Sequence, residues 1–87
     1  MAHAATTAST TTVLTQVTAY TAEETGGAAA TIYLRDTSGA GTILWRIHLN
    51  AYATEGESFG GNPLELTVGK SFYIDITGTA SVTLHGR

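Results

Sequence analysis

The sequence predicts an all-β fold, and three observations predict it. Between Thr42 and Ala53 the chain alternates, with Ile43, Trp45, Ile47, Leu49 and Ala51 on one side and Leu44, Arg46, His48, Asn50 and Tyr52 on the other. Side chains of a strand point to opposite faces in turn, so this period of two marks a strand with one buried face. The alternation returns at Ile32/Leu34, Leu64/Leu66/Val68, Phe72/Ile74/Ile76 and Val82/Leu84. Between these runs stand turn formers such as Asp36 to Gly41, Glu55-Gly56-Glu57, Gly60-Gly61-Asn62-Pro63, Gly69-Lys70 and Gly78-Thr79, with no helical segment. The expected architecture is a small antiparallel β-sandwich or jelly-roll-like barrel of about six strands, preceded by an extended N-terminal arm.

Residues 1–11 (MAHAATTASTT) are small, polar and without periodicity. They read as a flexible tail or as an arm that orders on a partner, since β-branched threonine favours an extended chain that adds to an exposed edge. Residues 12–87 form the single domain. Its first strand, 12–20, places Val13, Val17 and Ala19 on one face and Leu14 and Tyr20 on the other, with threonine on both. Such a pattern specifies register weakly and suits an edge or an element shared between subunits. In 22–30, Gly26-Gly27 leaves room for a helical turn at most. Strands follow at 29–36, 42–53, 63–68, 71–77 and 80–85. Gly69-Lys70 and Gly78-Thr79 fit two-residue type II′ hairpin loops, so the last three strands are expected to form a meander.

Composition narrows the functions. At 87 residues there is room for one domain, and a chain of that size buries only about 60% of its unfolded surface. With no cysteine, disulfides are excluded, and association with other copies is the remaining common route to stability. The net charge of −3 and the dispersed Arg35, Arg46, Lys70 and Arg87 lack the basic stripe of a nucleic-acid binder. Charged residues are 13% of the chain against roughly 25% in ordinary soluble domains. So neutral a surface suits contact with protein. No apolar run reaches the ~20 residues of a membrane helix, and Met1–Thr12 lacks the basic-then-apolar pattern of a secretory signal, so synthesis in a cytoplasm is expected.

The segments that touch on chemistry do not assemble a reactive site. Gly56-Glu57-Ser58-Phe59-Gly60 matches the nucleophile elbow G-x-S-x-G, but that motif needs a following helix, and here Gly61-Asn62-Pro63 and a strand follow; the segment reads as a loop. His3, His48 and His85 lack metal-ligand spacing, and His48, on the polar face of its strand, reads as solvated or at an interface. Glu23, Glu24, Glu55, Glu57, Glu65, Asp36 and Asp75 compose no calcium loop, and Gly39-Ala40-Gly41 continues into Leu44 where a phosphate loop needs glycine. No enzyme activity, cofactor, metal or small-molecule substrate is expected. The residues that stand out are Tyr33, Leu44, Tyr52 and Tyr73, which parity places on outer faces, joined by Leu14 and Tyr20 of the first strand. Tyrosine offers a large contact area with a polar tip, as protein interfaces and sugar-stacking sites use.

The stretch PLELTVGKSFYIDITGTASVTLHGR, Pro63 to Arg87, resembles the end of a loose group of short bacteriophage virion proteins. In that group Pro-Leu-x-Leu-x-Val-Gly-Lys-(aromatic)-Tyr-(Ile/Val)-Asp-(Ile/Val)-Thr-Gly-Thr closes a compact β-sandwich. Ile32-Tyr33-Leu34-Arg35-Asp36-Thr37-Ser38-Gly39 and Gly41-Thr42-Ile43-Leu44 are similar to that group's strand, Asp-Ser-Gly loop and next strand, so the likeness covers about 29–87. It implies a structural role in a phage particle, located on the capsid surface: a head decoration (cement) protein, a head-fibre base or a tail accessory protein. Cement proteins of this kind often stand as homotrimers over junctions of the major capsid protein. Here trimer contacts would bury Tyr33, Leu44 and Tyr52. A chain that opens on Met and closes after the sandwich points to the free-standing decoration role. The alternative is a receptor- or carbohydrate-binding module of a tail or head fibre. Trp45 shares a face with Ile43, Ile47 and Leu49 and is expected in the core, away from any sugar.

Overall fold

The alternating runs do become strands, but they pair with partners distant in sequence. The computed structural model describes residues 2–66 and 69–87. Its strands are β1 (Ala2–Thr6), β2 (Thr10–Thr11), β3 (Gln16–Glu24), β4 (Ala30–Asp36), β5 (Ile43–Leu49), β6 (Thr54–Ser58), β7 (Leu64–Glu65), β8 (Phe72–Thr77) and β9 (Ala80–Gly86), with no helix among the described residues. They form two antiparallel sheets. The back sheet runs β1-β9-β3-β6, with β7 continuing the β6 side of β3, and the front sheet runs β2-β8-β4-β5. One core lies between them. Ile32, Leu34, Ile47, Leu49, Phe72 and Ile74 enter it from the front sheet, and Val17, Tyr20, Ala22, Ala80, Val82 and Leu84 from the back.

Among the described residues neither expected hairpin forms. β7 pairs with β3 rather than β8, and β8 and β9 belong to different sheets. The reason is burial: Phe72 and Ile74 must face Val82 and Leu84 across the core, so the chain crosses at Gly78, where φ is 104°, instead of folding back within one sheet. Among the described residues only β4 and β5 are neighbours both in sequence and in a sheet. Val68, expected on a buried side, lies outside the described residues.

The N-terminal arm is also corrected. Residues 2–6 pair along β9 from Ala2↔Gly86 to Thr6↔Val82, and Thr10–Thr11 pairs with β8. The segment thus supplies one outer strand to each of the chain's own sheets. Ala4 packs against the core, so the small residues that looked structureless are those an outer strand can lay flat on Leu84. The chain then changes sheet over 12–15. The Thr12 N–H and hydroxyl both donate to the Phe72 carbonyl, and the Thr15 N–H donates to that of Arg87.

Two bulges account for the misread faces. In β3, Val17 pairs with Gly86 but Ala19 with His85, which leaves Thr18 extra and turns Tyr20, Ala22 and Glu24 inward. In β5, Leu34 pairs with Trp45 but Arg35 with Ile43, which leaves Leu44 extra. Ile43 accordingly turns outward, 47% exposed, while Leu44 packs against the core. β5 ends at Leu49, and Tyr52 sits in the following turn with φ 58°, so Ala51 and Tyr52 do not continue the alternation. β6, expected as a turn, is a fully exposed strand held to β3 by main-chain pairing, and Gly56, Glu57 and Ser58 of the elbow-like motif lie in it.

Candidate partner-binding face

β4 lies between β8 and β5, so its outward residues each have a neighbour on both sides. Register sets three rows across the outer face of the front sheet: Tyr73, Arg35 and Ile43; Asp75, Tyr33 and Arg46; Thr77, Thr31 and His48. Directly opposed residues share a face, so these nine side chains form one surface. Tyr33 holds the middle position, and Arg35, in the row beside it, makes the most polar contacts. The Arg35 Nε donates to Asp75 Oδ2 at 2.9 Å, one Nη donates to the Gly41 carbonyl at 3.0 Å, and its guanidinium carbon stands 5.2 Å from the Tyr33 ring centroid. The ion pair is partly covered, with side-chain exposures of 19% and 27%. Thr31 Oγ1 lies 3.4 Å from His48 Nδ1.

The 37–41 loop closes one end of this face. A Cβ at Gly41 would collide with the Asp36 carbonyl, so the tight return that brings the Gly41 carbonyl to Arg35 requires glycine. A Cβ at Gly39 would meet the Tyr73 ring at 3.5 Å, which places the loop against that ring. Lys70 Nζ reaches Asp36 Oδ2 at 3.7 Å.

Of the residues singled out from sequence, Tyr33 and Tyr73 meet on this face, both half-buried. Leu44 is drawn toward the core by its bulge. Leu14 and Tyr20 are core residues, completely buried and 7% exposed respectively, and are taken up within the chain rather than offered to a partner. Tyr52 is exposed but stands at the end of the molecule, on the 50–53 turn. Arg35 and Asp75 were missed, although both share parity with a singled-out neighbour: Arg35 with Tyr33, and Asp75 with Tyr73. Ile43 was missed because a bulge cannot be read from alternation.

A second polar site has no signature in the sequence. Glu24 is 1% exposed. Its Oε1 accepts the N–H groups of Gly27 at 2.8 Å and Tyr52 at 2.9 Å, and its Oε2 accepts that of Gly26 at 2.6 Å. The Tyr52 N–H above all, then those of Gly26, Gly27 and Ala28, hold the carboxyl below the usual carboxylate range against the upward push of burial. The site binds two loops together and is filled by the chain's own acid.

Trp45 is half-buried, edge-on to Phe59 at 4.9 Å between ring centroids, and Phe59 in turn lies 6.0 Å from Tyr20. On the back sheet, the outward rows carry His3 and His85, with rings 6.4 Å apart, beside Ala5, Ser81, Thr83, Ala19 and Thr21. Among the described residues no three metal-ligating side chains come together. No family model matches the chain, and neither does any curated protein or solved structure at a significant level.

Proposed function

We propose that this chain is a structural protein of a bacteriophage particle, a decoration (cement) protein that binds the major capsid protein in the assembled shell and stabilises it. The observation that carries this reading is the outer face of the front sheet, where Tyr33, Tyr73 and Ile43 surround an Arg35 already held by Asp75. Aromatic residues and arginine are what the centres of protein interfaces favour, and a pre-held guanidinium loses little freedom on docking. The resemblance of 29–87 to short phage virion proteins points the same way. Repeated passage of the chain from one sheet to the other supports a jelly-roll-like β-sandwich. A protein that binds only the assembled shell raises the shell's resistance to disruption by mass action, with no chemistry of its own.

The test is co-sedimentation of the purified chain with undecorated shells of the phage that encodes it. Saturable binding that the Tyr33→Ala/Tyr73→Ala double variant loses while keeping its circular dichroism spectrum supports the reading. Absent binding, or binding the double variant retains, rejects it. The second reading, a glycan-binding module of a fibre, draws on the same tyrosines standing beside a guanidinium and a carboxylate. Glycan binding lost in the same double variant, without shell binding, selects it.

A further inference from the structure

Two sheets present four outer edges, and unpaired strand edges invite further strands unless something blocks them. Three of the four are blocked. β2 is only two residues long. β5 carries the Leu44 bulge and Arg46. On the edge that β6 shares with the two-residue β7, Glu55 and Glu57 stand opposite Ala22 and Tyr20, whose side chains enter the core, so both acids lie on the inward side. Inward-pointing charge is a recognised barrier to a further strand. β1 has no such device. Its five residues, Ala-His-Ala-Ala-Thr, pair along β9 without a register shift and include no proline, lysine, arginine or acid.

We propose that β1 is where two copies of this chain join, antiparallel about a two-fold axis through Ala4, so that two back sheets run into one. Full overlap of a five-residue strand with itself requires the axis at its middle residue. That register sets Ala4 opposite Ala4 of the second copy and His3 opposite Ala5 of the second copy. The exposed imidazole of His3, 6.4 Å from that of His85, then meets a methyl group with room beside it. A register centred on His3 would oppose two imidazoles. Charge permits the contact: the outward neighbours of β1 are Ser81, Thr83 and His85, while Glu23, Glu55 and Glu57 lie toward the far side of the sheet. Head-to-tail addition of β1 onto β6 is opposed by Glu55 and Glu57, so the contact closes as a pair instead of growing as a filament. A junction of five residues falls well short of the ~1,200 Å² of a stable interface. The pair is therefore weak and concentration-dependent. The inference rests on the strand edge and not on the capsid reading.

The chain has no cysteine, which makes disulfide trapping clean. Opposed residues of antiparallel strands have Cα atoms about 4.5–5.5 Å apart, within disulfide reach, whereas residues offset by two positions exceed the roughly 7 Å limit. Under mild oxidation Ala4→Cys and the double variant His3→Cys/Ala5→Cys are expected to give covalent dimers. His3→Cys alone and Thr54→Cys on β6 are expected to stay largely monomeric. Sedimentation of the unmodified chain is expected to show a mass rising from 9.0 kDa toward twice that value with concentration. The double variant avoids the core-facing Ala4, so misfolding of Ala4→Cys cannot hide the answer. A fixed monomer, a trimer, or trapping of His3→Cys alone as fast as the double variant overturns the proposal.

Discussion

Glu24 and Asp75 are both acids on strands, and the molecule uses them in opposite ways. Glu24 is buried, and its partners are main-chain N–H groups from two loops. Asp75 keeps a quarter of its side chain in solvent and is held by another side chain, Arg35. The first arrangement fixes where the chain goes. The second leaves a charge pair on a face between two tyrosines, where a partner can reach it. On the proposed reading the buried charge serves architecture and the exposed charge recognition, and substitution should separate the two.

The largest effect is expected at Glu24. Glu24→Ala strands three N–H donors around an emptied site, and unsatisfied buried donors are costly. Urea denaturation should place its midpoint below those of Gly27→Ala, Arg35→Ala and Asp75→Ala. Glu24→Gln should fall between Glu24→Ala and the wild type, because an amide has one accepting oxygen where the carboxylate uses two. The pH dependence follows from the depressed carboxyl. Its contribution is fully present above the unfolded value of about 4.3 and is lost as pH falls through the folded value. The wild-type midpoint should thus drop on acidification below about pH 4.3 more steeply than that of Glu24→Gln. Parallel curves for the two proteins would show that the carboxylate is not held as described.

Next comes Gly27, which carries one of those N–H groups at φ 85°. A Cβ there would stand 2.8 Å from the Tyr52 hydroxyl oxygen, and a left-handed conformation costs a non-glycine residue about 1–2 kcal/mol. Gly27→Ala should destabilise by about that amount in equilibrium unfolding, and leave shell binding by the Tyr33 face unchanged. A variant that also lost binding would mean that the end of the molecule and the face are not independent.

Much of the face was legible in the sequence, and almost none of the Glu24 site was. Period-two alternation placed Tyr33 and Tyr73 outward because β4 and β8 run unbroken there, and the same parity contained Arg35 and Asp75. It failed at Ile43 and Leu44, and again at Tyr20, because one extra residue exchanges the faces of everything beyond it and has no signature of its own. The hairpins after β7 and β8 were misread for a different reason: a glycine turn that suits a hairpin also suits a crossing between sheets, and only the shared core decides. Residues 2–6 looked like a tail since alanine and threonine carry little alternation, yet they fit an outer strand beside Leu84. Glu24 looked like one of two adjacent acids. Its role depends on a turn 28 positions away, which no local pattern records.

The smallest expected change in stability is the one that most sharpens the contrast. Arg35 and Asp75 are partly exposed, and such pairs contribute at most about 1 kcal/mol. A double-mutant cycle of Arg35→Ala and Asp75→Ala should therefore give a coupling in unfolding no larger than that. Removing Arg35 alone also releases the Gly41 carbonyl and the stacking on Tyr33, so the single Arg35 variant should lose more than the Asp75 variant. In shell binding the ranking should invert in scale: a pair worth little to the fold loses a contact held in place before docking, and Asp75→Ala frees the guanidinium to move. Asp75→Ala should then weaken shell binding by a larger factor than it weakens folding, read by co-sedimentation and denaturation on the same preparation. Equal losses would return the pair to the architecture, beside Glu24, and leave the tyrosines alone to carry recognition.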